Sequence, residues 1–130
     1  MDTGDIIKIK EIKINEDDNF GSLYEKLRSL SGNFILDTID EIQKVNGKPQ
    51  VNTKDLLTAP KLNKENTKIN WLEDGKKIVK KIRGLSPIPG AWSIIKDSNK
   101  IIKIYDSLFH ELNHDFEIGK MYIESSNKLM

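Results

Sequence analysis

The sequence predicts an α+β protein in two parts: a β-branched strand and a long helix, then a linker, then a short basic helix leading into a β unit. Three observations predict it. Isoleucines alternate with lysines over residues 6–14. Apolar residues recur every three to four positions from Phe20 to Ile42, and Ile78–Trp92 passes from a basic amphipathic helix through a proline-fixed corner to a tryptophan that opens a strand.

Each element has its own warrant. Ile6, Ile7, Ile9, Ile12 and Ile14 alternate as a half-buried strand does, but their parity slips after Ile9, which predicts a bulge or bend near Lys10-Glu11. Asn15–Asn19 is an acidic turn, with Asn19 the N-cap of the helix that follows. Leu23, Tyr24, Leu27, Leu30, Phe34, Ile35, Ile39 and Ile42 give that helix one apolar stripe, expected to make core contact, with a weak point at Ser31-Gly32. Residues 46–68, with Pro49, Pro60 and several Asn and Thr, read as an extended linker carrying Lys61, Lys64 and Lys68.

A second helix is expected to begin around Trp71-Leu72. Glu73 and Asp74 would lie in its first turn and Lys80, Lys81 and Arg83 in its last, an order that complements the helix dipole. Ile78, Val79, Ile82 and Leu85 share one face, and Lys76, Lys80 and Arg83 another. Gly84 stops the helix, and Pro87 and Pro89 direct the chain beyond it. Two strands, Trp92–Ile95 and Lys100–Tyr105, flank an Asp97-Ser98-Asn99 turn, and Gly119–Glu124 is expected as a third. The sequence stops in an apolar rise, Lys128-Leu129-Met130, which predicts an incomplete final domain.

Composition narrows the function classes. Hydrophobic residues make up 37% and charged residues 32% of the 130, with no apolar run of the ~20 residues a membrane-spanning helix needs and no N-terminal signal pattern. The absence of cysteine excludes disulfides and thiolate zinc sites and fits a cytoplasmic protein. A net charge of +1 conceals segregation: −3 over residues 1–60, +7 over 61–103 and −3 over 104–130. A basic block between acidic flanks is the footprint of a phosphate-backbone partner, against the plainer reading of a solvated helix face.

His110-Glu111-Leu112-Asn113-His114 matches the H-E-x-x-H zinc pattern literally. A strand end at Asp106-Ser107 precedes it, 16 residues follow it, and Glu117 and Lys120 stand where the extended pattern requires Gly and His. It reads as a chance match in a polar loop, and no metal is expected.

Three blocks carry a family resemblance. Asp2-Thr3-Gly4-Asp5-Ile6-Ile7, with Ile14 seven positions on, resembles the closing half of the formyltransferase active-site signature. Ala59-Pro60-Lys61-Leu62-Asn63-Lys64-Glu65, then Ile69-Asn70-Trp71, resembles the interdomain linker of the methionyl-tRNA formyltransferase family, and Ile82-Arg83-Gly84-Leu85-Ser86-Pro87-Ile88-Pro89-Gly90-Ala91-Trp92 resembles its I-R-[GA]-x-x-P-x-P-x-x-W corner. Ile88 departs from the aromatic residue common between the two prolines.

The resemblance implies a reaction in which a formyl group passes from 10-formyltetrahydrofolate to the amino group of methionine on initiator tRNA. It also implies a domain plan: 1–45 as the end of a Rossmann-like catalytic domain, 46–68 as linker, and 69–130 as an incomplete OB-like tRNA-binding barrel. Asp2 matches the catalytic aspartate, which steers a histidine and assists proton removal from the attacking amine. The family's catalytic Asn and His and its folate loop have no counterpart in these 130 residues, so the chain as given is expected to be inactive and not to hold folate. Lys61, Lys64, Lys76, Lys80 and Arg83 are the candidate tRNA contacts. The expected partner is initiator methionyl-tRNA, with no DNA or membrane partner and a monomeric full-length enzyme. Two alternatives remain: another formyltransferase or formyltetrahydrofolate hydrolase with the same C-terminal domain, and a free-standing, non-catalytic RNA-binding OB-type module.

Overall fold

A computed structural model describes residues 4–44, 46–51 and 58–122. The chain forms two compact units, Met1–Lys61 and Leu62–Met130. Its regular elements are helix α1 (Phe20–Glu41), helix α2 (Gly75–Leu85) and strands β1 (Ala91–Ile95) and β2 (Lys100–Ile104).

In the first unit α1 starts where the sequence places it. The Asn19 side chain accepts from the Ser22 amide at 2.9 Å while the Asn19 amide donates to Ser22 Oγ at 3.0 Å, a reciprocal capping box. Asp18 braces this cap: its carboxylate accepts from Lys26 Nζ, from the Asn15 amide at 2.7 Å and from Ser22 Oγ at 2.8 Å. The Lys26 hydrogen bond, followed by those from Asn15 and Ser22, lowers the Asp18 pKa from 3.8 to about 2. The helix runs through Ser31-Gly32 without interruption.

Two expectations for this unit are corrected. The strand over residues 6–14 is not formed; its one pairing among the described residues is an antiparallel bridge between Ile6 and Lys48, with N–H···O distances of 2.8 and 2.9 Å. No further neighbouring backbone extends that ladder among the described residues, and β-branched alternation cannot hold a strand without one. The α1 stripe is likewise uncovered: the helix buries no residue, and Tyr24, Leu27, Ile35 and Ile39 remain about half exposed. Lys8 reaches α1 through an ion pair with Glu41 at 2.9 Å and lies over the Phe34 ring.

The second unit holds the core. Ile78, Ile82 and Leu85 of α2 pack with Ile69 and Ala91, and Ile104 closes the cluster from β2; Ile82 is only 2% exposed. The spacing of 78, 82 and 85 is the helical period read from the sequence. β1 and β2 pair antiparallel in the register Trp92↔Lys103 and Ile95↔Lys100 around the expected turn. α2 begins later than expected, because Asp74 caps it by accepting from the Lys77 amide at 3.2 Å, which leaves Glu73 and Asp74 ahead of the first turn. It also passes through Gly84 and ends at Leu85 with Ser86 as C-cap.

Residues 62–68, expected as linker, are folded against β1. Lys68 and Trp92 form a parallel bridge, with Ile69 N–H donating to the Trp92 carbonyl at 2.8 Å and Trp92 N–H to that of Thr67 at 3.3 Å. β1 is therefore flanked on both edges. The expected third strand at 119–124 lies partly outside the described residues, and residues 119–122 are not strand. The terminal Lys128-Leu129-Met130 lies wholly outside them.

Candidate nucleic-acid interface

The segment that enters the second unit is a rigid turn. Asn63 and Asn66 exchange amide-to-side-chain hydrogen bonds at 2.8 Å each, and Thr67 Oγ1 donates back to the Asn63 carbonyl at 2.7 Å. Trp92 Nε1–H donates to the Lys64 carbonyl at 2.9 Å. These bonds set the ammonium groups of Lys64 and Lys68 5.7 and 5.4 Å from the centre of the Trp92 ring, within cation–π range.

Lys103 faces Trp92 across the hairpin and donates to the Pro89 carbonyl at 2.7 Å. Between these groups runs an open groove of about 340 Å³, walled by Leu62, Pro89, Trp92 and Ile101, with Lys64 and Lys103 as its charged members and no carboxylate in its lining. Gly90, also in the lining, has φ +80°; a Cβ there would stand 2.8 Å from Tyr105 Cε1 and 3.3 Å from Lys103 Cδ. Both the backbone angle and the close packing require glycine.

A second basic surface lies on α2. Lys76 and Lys80 are exposed and point away from the buried Ile78–Ile82 face, and Arg83, half-buried, falls on the same side. On the adjoining flank Lys81 Nζ donates to the Lys68 carbonyl and ties α2 to the entering segment. Of the residues the sequence singles out, Lys76, Lys80 and Arg83 share one helical face, Lys64 sits in the groove, and Lys61 is exposed at the end of the first unit. Asp2 lies outside the described residues.

Two members of this surface stand outside the candidate contacts: Lys68, read from the sequence only as part of the basic track of the linker, and Lys103. The place of Lys103 follows from a four-residue loop, 96–99, whose Ile95↔Lys100 closing pair sets Trp92 opposite Lys103; counting about the expected Asp97-Ser98-Asn99 turn would have set Ile104 there instead. The approach of Lys64 and Lys68 to the same indole is tertiary and leaves no local signal.

The His110–His114 motif stands in irregular chain, so the helix that would align its two imidazoles is not formed. His114 Nδ1 instead accepts from the Phe116 amide at 3.0 Å, and its ring stacks on Phe116 at 4.7 Å. Among the described residues no three His, Cys, Asp or Glu side chains are grouped to hold a metal ion.

The family described as "Formyl transferase, C-terminal domain" matches residues 61–130. A methionyl-tRNA formyltransferase of Flavobacterium johnsoniae is 42% identical over 125 residues, covering 93% of this chain and 40% of the relative. That of Thermodesulfovibrio yellowstonii is 42% identical over 104 residues, 79% of this chain and 34% of its own length, and one from Staphylococcus aureus is 35% identical over 130 residues, 98% and 40%. The chain thus spans about 40% of the length of the first of these relatives.

Proposed function

We propose, since this chain belongs to the family of formyl transferase C-terminal domains, that it supplies the tRNA-holding part of a cytoplasmic methionyl-tRNA formyltransferase. The reaction is transfer of a formyl group from 10-formyltetrahydrofolate to the amino group of methionine carried by initiator tRNA. Residues 1–45 would be the end of the Rossmann-like catalytic domain, 46–68 the linker and 69–130 the OB-like domain, with 62–68 packed onto it as part of the second compact unit. The full-length enzyme acts as a monomer.

The observation that carries this reading is a coincidence of boundaries. The family match begins at residue 61, the second compact unit begins at Leu62, and the +7 block occupies 61–103. Lysines there form two surfaces, the Trp92 groove and the outer face of α2, suited to phosphates that position a tRNA without reading its sequence. Asp2 would orient a catalytic imidazole and, through it, help remove the proton from the attacking amine, while Lys61, Lys64, Lys76, Lys80 and Arg83 would hold the tRNA.

The test is a chimera in which the aligned residues of this chain replace their counterparts in the Flavobacterium johnsoniae relative. It is expected to formylate methionyl-tRNA, whereas the 130-residue chain alone gives no turnover. Charge reversal at Lys76 and Lys80 in the chimera should raise KM for tRNA and flatten its salt dependence, with a slope change of about 1 for each phosphate no longer neutralised. A folded chimera without transfer overturns the reading.

A further inference from the structure

We propose that the Trp92 groove seats one unpaired nucleotide of an RNA, its base against Leu62, Pro89 and Ile101 and its phosphate between Lys64 and Lys103. This deepens the tRNA-holding reading and rests on it. Three observations carry it. The groove has an apolar wall with cations beside it, which matches a nucleotide's flat, apolar base face and its anionic phosphate. Its volume of about 340 Å³ is at the small end of ligand sites, which run from about 300 to 1,000 Å³, and fits one nucleotide rather than a stack. No carboxylate lines it, so nothing in the wall repels a phosphate.

The two lysines are prepared differently. Lys64 is held beside the groove by its own backbone, pinned by the Trp92 indole N–H, and by the indole under its ammonium. Lys103 rests on a neutral acceptor, the Pro89 carbonyl, and exchanging it for a phosphate oxygen replaces a neutral hydrogen-bond acceptor with an anionic one. Gly90 keeps that side of the groove free of a side chain.

A base within a duplex is stacked on both faces and cannot lie against the apolar wall, so the groove selects single-stranded RNA. The outer face of α2 presents cations without such a wall and suits backbone phosphates of either form.

The experiment follows methyl NMR signals of Leu62 and Ile101 in the 130-residue chain during three titrations: an unstructured RNA tetranucleotide, a blunt RNA duplex and inorganic tripolyphosphate. The tetranucleotide is expected to move both methyl groups, tripolyphosphate, held only at the two lysines, to move them several-fold less, and the duplex to leave them in place. Lys64→Ala with Lys103→Ala should weaken the tetranucleotide about tenfold or more, while Lys10→Ala with Lys13→Ala, exposed lysines of the first unit, changes it less than about twofold. An unchanged urea-unfolding midpoint by far-UV dichroism would show that the variants remain folded.

Equal shifts from tripolyphosphate would mean an anion site without a base seat, and equal shifts from the duplex would mean no selection for unpaired RNA. Either result overturns the proposal, as does a tetranucleotide that moves only α2 signals. An active chimera alongside any of these would sink the groove assignment alone, whereas an inactive folded chimera removes the tRNA reading itself.

Discussion

Both units carry apolar residues at helical spacing, more sharply segregated to one face in α2 than in α1, and they bury very different amounts of them. α1 carries a longer apolar stripe than α2, but every residue of α1 keeps at least partial exposure, while α2 places Ile78, Ile82 and Leu85 in a core. The second unit brings its own covering, since β1, β2 and the 67–69 segment close over that face. The first meets its helix, among the described residues, through Lys8, which pairs with Glu41 and lies over Phe34, and through Asp18 on Lys26, while its Ile6–Lys48 bridge lies off the helix. Periodicity thus states which face needs a partner, and the topology decides whether one is at hand.

The contrast breaks or holds on matched truncations. Ile82→Ala should destabilise the second unit by about 2–5 kcal/mol, whereas Ile39→Ala on α1 should change stability by less than about 1 kcal/mol. Urea titration followed by emission from Trp71 and Trp92, which both lie in the second unit, measures the first; far-UV dichroism, to which the 22-residue α1 contributes most helix, measures the second. Equal losses would erase the distinction. Gly90→Ala sharpens it from the backbone side. Placing a Cβ at φ +80° against Tyr105 should cost about 1–3 kcal/mol, and the loss should appear in tryptophan emission.

The smallest effect belongs to the first unit and is set by pH. Asp18 has its pKa lowered from 3.8 to about 2, chiefly by the Lys26 hydrogen bond. A depressed carboxylate stabilises the fold fully above its unfolded pKa and loses that contribution as pH falls through the folded one. Helical signal from α1 should therefore decline between about pH 4 and pH 2. In Asp18→Asn that acid transition should vanish and helicity at pH 7 should be lower. A transition unchanged by the substitution would show that Asp18 does not govern the cap.

Local chemistry is the legible part of the fold. Asn19 as a cap, the 78-82-85 face and the Asp97–Asn99 hairpin each depend on residues close in sequence, and each appears as read. What fails to read depends on partners. The Ile6–Ile14 alternation says nothing of whether a neighbouring strand exists, and the linker-like composition of 62–68 hides the capacity of Thr67 and Ile69 to bond along β1. At the candidate site, the outer lysines of α2 follow from helical spacing. The groove does not, because Lys64 and Trp92 are separated by 28 positions and meet only after folding.

The bond from the Trp92 indole to the Lys64 carbonyl also gives the second unit an internal clock. That N–H belongs to a side chain only 9% exposed, so its exchange with deuterium waits for the opening of the whole unit, whereas Trp71, 38% exposed and bonded to Ser93 Oγ, can release its proton through a local fluctuation. Two indole resonances in one spectrum should therefore decay at different rates, the slower timing global unfolding and the faster the breathing of the surface around Trp71.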